Sequence, residues 1–342
     1  MAGCAPALSA STFSTAESAR APLSIGALRS FSAGLTPLNE FGPYAHAALR
    51  SRLDLAILQL GDLPHGLNRR KPIKRLRKSY KAALQTLAAT DPAACSSQLG
   101  FEAIDGLLQV LPSQMAEIEM QGVSQGVYEV ARSFRKGHPK TESSEYFGSD
   151  TQREIDEALA NFNRSRIGLR LIGDSWRAAR LEDQRPGANV RQRGSVQDRF
   201  SLVSEAKVAA SYVTEIFLEN VYACPPITIE HDEQCLHEVT YIPNHVWYGI
   251  IEVLKNACLA SLVAHSQPGK PWTSITEGGI RTRFETRDGG AATAITISDD
   301  GFGIDNQELA FAYTFTDWKQ DGHAPTWGLE MGGAGVGLPT VR

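Results

Sequence analysis

Apolar residues recur at helical spacing from Tyr44 to about Leu181, and beyond about residue 200 that spacing gives way to short alternating runs. A chain so divided folds as a helical half followed by a mixed half, because a face that repeats every ~3.6 residues and one that repeats every two are buried by different layers. The break lies in 182–198, dense in Arg, Gln, Gly and Asp around Pro186 and poor in apolar residues, which marks 186–198 as a linker. A length of 342 residues also exceeds what one core usually holds, so two domains are expected.

In the first half, turn signals at Gly61-Asp62-Leu63-Pro64, Asp91-Pro92 and Lys136-Gly137-His138-Pro139 separate helices predicted over 43–61, 72–89, 99–136 and 151–181. Short connections between long helices favour an antiparallel four-helix bundle, placed at 40–185. The second half, 199–342, predicts a helix over 200–220, short strands at 227–229 and 239–242, and a helix from Pro243 to about Ala264 with Asn244 as its cap. A hairpin follows, 280–285 with 294–298, turning at Arg287-Asp288-Gly289-Gly290. The class is therefore α+β, a bundle followed by an α/β sandwich.

A composition of 42% hydrophobic and 21% charged residues is that of an ordinary globular protein. Apolar runs are interrupted by charges before the ~18–20 residues a spanning helix needs, so no membrane span is expected. A net charge of −4 gives no reason to expect nucleic acid. The basic run Arg69, Arg70, Lys71, Lys74, Arg75, Arg77, Lys78, Lys81 reads as a solvated helix face sooner than as a docking surface for an acidic partner. The five cysteines, Cys4, Cys95, Cys224, Cys235 and Cys258, have no CxxC pairing, which supports neither a zinc site nor a disulfide framework and suits a reducing compartment. Residues 1–39 are rich in Ser and Ala with Glu17 as their one acid before Glu40, the composition of a mitochondrial transit peptide, and Arg29-Ser30-Phe31-Ser32 looks like a matrix-processing site.

Three segments carry candidate chemistry. On the helix after Pro243, Glu252 and Asn256 stand one turn apart on one face, with Ile250, Leu254, Ala257 and Ser261 on the other. A carboxylate there can take a proton from a hydroxyl and an amide oxygen can hold Mg2+. Asp299-Asp300-Gly301-Phe302-Gly303 closes an alternating strand, where an aspartate can accept from an exocyclic amine and glycines let the backbone come close to a ligand. Gly332-Gly333-Ala334-Gly335-Val336-Gly337-Leu338-Pro339 offers amides to phosphates. Each alone has a bland alternative: a solvated helix face, an Asp-Gly turn, a flexible connection. Their order is more specific, and the phosphate-binding loop Gly-x-x-x-x-Gly-Lys-Ser/Thr and the His-Arg-Asp and Asp-Phe-Gly sets are absent.

This order resembles the N box and two glycine boxes of the ATPase and kinase superfamily that includes histidine kinases, gyrase B and MutL. Ser165-Arg166-Ile167-Gly168-Leu169-Arg170, Glu252-Val253-Leu254-Lys255-Asn256-Ala257 and Gly337-Leu338-Pro339 are similar to segments of the mitochondrial pyruvate and branched-chain 2-oxo acid dehydrogenase kinases. The resemblance, running from about Leu35 to Arg342, implies transfer of the ATP γ-phosphate to a serine of the E1 α subunit in the mitochondrial matrix. It implies ATP, Mg2+ and K+ as ligands, the lipoyl-bearing E2 core as a further partner, and a homodimer. By position, Glu252 would be the general base, Asn256 would hold Mg2+, and Asp299 would bind adenine in a pocket shaped by Gly301 and Gly303. Gly333, Ala334, Gly335, Val336, Gly337 and Leu338 would form the phosphate lid, and Thr316 would touch nucleotide. Leu259 takes a nucleotide-side position where the family has arginine, Tyr248 one where the pyruvate kinases have histidine, and Asp317 one where the branched-chain enzyme has a second threonine. The family also continues past the position of Arg342 with sheet strands, so the second domain is expected to lack them here. A catalytically impaired scaffold is the alternative expectation. Histidine autophosphorylation is disfavoured, since Ala116 falls near where the dehydrogenase kinases have their helix histidine.

Overall fold

The computed structural model describes residues 23–137, 149–185, 195–236, 238–266, 278–288, 292–304, 307, 309–313 and 337–341. It divides into a helical unit ending at Gln197 and a second unit carrying everything from Asp198 onward. The secondary structure is mostly helical with two small sheets, an α+β composition as the periodicity predicts.

The first unit holds α1 (Ile25–Ser32), α2 (Leu38–Gly61), α3 (Lys71–Ala88), α4 (Gln98–Gly137) and α5 (Ser149–Gln184). Helix α1 lies inside the segment expected to be a transit peptide. Its Phe31 is fully buried and stacks on Phe41 at 4.1 Å between ring centroids. The expected processing site Arg29–Ser32 falls in this packed helix, and residues 1–22 lie outside the described residues.

Helix α2 begins five residues before the predicted start at Pro43, with Leu38 as its first residue. A proline inside a helix removes one N–H and orphans the carbonyl four residues back. Here that carbonyl belongs to Asn39, and the Ser96 hydroxyl donates to it at 3.1 Å. The replacement donor comes from a distant part of the chain, which local pattern cannot reveal. Helices α4 and α5 are joined through Asp105, which accepts from Trp176 Nε1 at 2.6 Å and from Arg180 Nε at 3.0 Å. Gly168 of the Ser165–Arg170 segment has a structural reason to be glycine: a Cβ there would sit 2.8 Å from Nε of the buried Arg52.

The second unit contains β1 (Gln197–Phe200), α6 (Leu202–Val221), β2 (Ile227–His231), β3 (Val239–Tyr241), α7 (Pro243–Ala264), β4 (Ile280–Arg287), β5 (Ala292–Ser298) and the short α8 (Gly337–Val341). Strand β1, whose first two residues fall in the expected linker, pairs with β3, while β2, β4 and β5 form a sheet in that order. The β2–β4 pair is parallel with Ile227 opposite Ile280, and β4–β5 is the predicted antiparallel hairpin with Phe284 opposite Ile295. Helices α6 and α7 share a core with the sheet, into which Val213, Phe217, Ile250, Leu254, Ile280 and Phe284 all point. Strand β5 forms an edge of the described sheet, and its Ile295 is 36% exposed.

Helix α7 corrects one expectation. Its cap position is Ile242, with no side-chain cap bond, and Pro243 takes the first turn where a missing N–H costs nothing. By length and composition it would also pass as a membrane-crossing helix, although Glu252 and Lys255 interrupt its apolar run. Its buried face belongs to the core of the second unit, and its two charges neutralise one another, as described next.

Candidate nucleotide site

Ile250, Leu254, Ala257 and Ser261 are buried as the helical spacing predicts, so α7 turns Glu252 and Asn256 away from the core. Asn256 is exposed. Glu252 is not: its side chain is 14% accessible and its Oε1 meets Nζ of Lys255, itself 10% accessible, at 2.7 Å. Two charges three residues apart lie on neighbouring faces of a helix, and their mutual neutralisation lets both sit at the margin of an apolar helix. Lys255 was readable at that spacing and is absent from the predicted site. Leu259 departs in the opposite direction. It is 4% exposed and packs in the core of the second unit, so it does not face a ligand; its side chain has no polar atom to hold it at the surface.

The two glycine segments both return to α7. Gly301 lies against Ala260, and a Cβ on it would come within 2.7 Å of the alanine methyl. Only a glycine lets the backbone after β5 rest on the helix. The Gly301 amide donates to Asp299 Oδ1 at 2.9 Å, which fixes that carboxylate at the strand end and leaves Oδ2 for a ligand. The next carboxylate is engaged elsewhere, Asp300 Oδ2 accepting from the Gly279 amide at 3.2 Å. Gly303 adopts φ +77, a left-handed conformation that glycine takes without strain.

At the other end of the site, Gly337 rests against Glu252. A Cβ at Gly337 would overlap Oε2, the carboxylate oxygen that Lys255 does not hold. Residues 337–341 are further fixed by the Tyr313 hydroxyl, which donates to the Pro339 carbonyl at 3.4 Å, and by Val341, which reaches the surface of α7 at Gly249. Glu252, Asn256, Asp299, Gly301 and Gly337 therefore line one helix and the two segments packed on it. Leu338 follows in the first turn of α8, half-buried. Thr316, Asp317, Gly333, Ala334, Gly335 and Val336 lie outside the described residues. Replacing Gly337 by Ala is expected to push the Glu252 carboxylate or the α8 segment aside and to lower turnover on the order of 10²-fold, the scale of an ~1 Å misplacement, in a steady-state kinase assay.

Residues 22–187 match the family described as mitochondrial branched-chain alpha-ketoacid dehydrogenase kinase. The match spans the helical unit, the half that carries none of the three boxes. With Glu252, Asn256, Gly301 and Gly337 gathered on or against α7 in the other half, two independent stretches point the same way. The chain is similar to the mitochondrial 2-oxo acid dehydrogenase kinases over both halves. Among the curated proteins it resembles is an Arabidopsis thaliana protein named "[Pyruvate dehydrogenase (acetyl-transferring)] kinase, mitochondrial", 23% identical over 312 residues, covering 87% of this chain and 76% of the relative. A Schizosaccharomyces pombe protein of the same name is 26% identical over 197 residues, 54% of this chain and 43% of the relative. The family match and the relatives carry different substrate names, branched-chain and pyruvate.

Proposed function

We propose that this kinase transfers the γ-phosphate of ATP to a serine hydroxyl on the E1 α subunit of a mitochondrial 2-oxo acid dehydrogenase complex, in the matrix and in association with the lipoyl-bearing core. The observation that carries the reading is the position of Glu252 between Lys255 and Gly337. Lys255 holds Oε1, so the carboxylate is oriented and Oε2 is the oxygen left to accept the serine proton. A base so placed contributes about 10²- to 10⁴-fold. At Gly337 the lack of a side chain leaves only backbone beside Oε2.

Asn256 is suited to hold Mg2+ through its amide oxygen, being exposed one turn from Glu252 on the same helix. When bound, that ion would neutralise phosphate charge. Asp299, held by the Gly301 amide, supports adenine recognition by accepting from the exocyclic amine through Oδ2. Asp299→Ala is therefore expected to weaken ATP binding by about 1–3 kcal/mol in titration calorimetry, and the unmutated protein should bind GTP poorly because guanine presents a carbonyl there. Unchanged affinity in the variant would remove Asp299 from the site. Incubation of the full chain with labelled ATP and each purified E1, pyruvate and branched-chain, tests the activity and assigns the substrate. Label on neither would overturn the proposal.

A further inference from the structure

Helix α3 concentrates positive charge in a chain whose net charge is −4. It carries Lys71, Lys74, Arg75, Arg77, Lys78 and Lys81 and not one acid. Arg77 is turned inward, its Nε donating to the Ile57 carbonyl at 3.1 Å. The other five are exposed. At 3.6 residues per turn they fall within about a third of the helix circumference, along ~15 Å of its length, opposite the buried Ile73, Leu76, Tyr80, Ala83 and Leu87. None of the five forms an ion pair among the described residues. Their arrangement works against the helix. Lys71 faces Arg75 and Lys74 faces Lys78 one turn apart, where like charges repel, and the first turn holds no acid to offset the positive end of the helix dipole. The helix is held by its buried face, and the charge does nothing to build it.

We propose that this face of α3 is a peripheral docking surface for a membrane rich in anionic phospholipid. Phosphate headgroups supply the counter-charge that the described protein does not. Each cation beside an anionic bilayer strengthens binding about fivefold, so five acting together can hold a protein of net charge −4 with this face down. Two features favour lipid over a protein partner. Four of the five cations are lysines, which protein interfaces disfavour, and outside the cations α3 exposes only Ala82, Gln85, Thr86 and Ala88. No aromatic or large apolar anchor stands among them. A lysine head is a strongly hydrated point charge on a flexible stem, which suits a diffuse and mobile layer of headgroups better than fixed acceptors.

The apolar face of α3 is already committed to the helical unit. The helix therefore rests on the headgroups and does not insert among acyl chains, so its binding depends on charge and is screened by salt.

The test sediments the full chain with vesicles of phosphatidylcholine alone, or of phosphatidylcholine and phosphatidylglycerol in equal parts. Binding is expected to the mixed vesicles only, with release at about 1 M salt, where the screening length is ~3 Å. The double substitution Lys74→Gln with Lys78→Gln is expected to weaken vesicle binding about 25-fold. Because both side chains are exposed, its melting temperature and ATP affinity should stay those of the unmutated protein. Lys207→Gln removes one exposed charge from α6 in the second unit and is expected to leave vesicle binding unchanged. Equal binding to both kinds of vesicle, or undiminished binding by the double variant, would overturn the proposal. So would a comparable loss per charge with Lys207→Gln, which would reduce the effect to net charge. A purified dehydrogenase complex provides the competing arm. If the chain ignores the vesicles while its association with the complex falls in the double variant, the face serves a protein and lipid docking is overturned.

Discussion

Glu252→Gln is expected to reduce phosphorylation of E1 on the order of 10²- to 10⁴-fold while leaving ATP affinity close to that of the unmutated protein. Glutamine keeps an oxygen that can accept from Lys255 Nζ, so the ion pair becomes a hydrogen bond from the ammonium to a neutral amide and α7 retains its packing. What is lost is the ability of Oε2 to take a proton. Single-turnover assays with labelled ATP, alongside calorimetric ATP titration, separate the two. A variant that turns over near the original rate would remove Glu252 as the base, and one that no longer binds ATP would make it a binding residue.

The second large effect is on stability. Lys255→Met removes the cation that faces Glu252 and leaves a carboxylate that is only 14% accessible without its partner. Breaking a buried pair from one side costs about 3–5 kcal/mol, and because both groups retain some contact with water the lower end of that range is expected. Thermal unfolding should show a clearly lower melting temperature for Lys255→Met and a smaller loss for Glu252→Gln. Equal melting temperatures for Lys255→Met and the unmutated protein would mean that the pair contributes no net stability. The ion pair would then be an exposed contact in solution.

Much of this site was legible in the sequence because it is built on one regular element. Helical spacing alone separates the buried Ile250, Leu254, Ala257 and Ser261 from Glu252 and Asn256, and the period-two run with its Asp-Gly turn fixes the β4–β5 hairpin. What the sequence concealed depends on contacts between distant residues. Gly301 reads as a turn glycine until Ala260 is found beneath it. Leu259 reads as a ligand position by family alignment, yet an apolar side chain facing the core is buried whatever a relative carries there. The same holds for Pro43, whose helix is continued by a hydroxyl from Ser96.

The parallel register of β2 on β4 also bears on the order of events when the chain folds. Opposing Ile227 to Ile280 closes a loop of roughly fifty residues, and that loop contains the whole of α7. The entropy of closure must be met before the strands reward it, so such non-local pairing is slow and tends to form all at once. Glu252 and Asn256 lie within the loop, while Asp299 directly follows the strand that pairs with β4 on the side away from β2. Neither half of the site is in place until the strands have met. A nucleotide that bridges them would then act as a late clasp, withdrawing population from partly unfolded forms and slowing the reopening of the sheet.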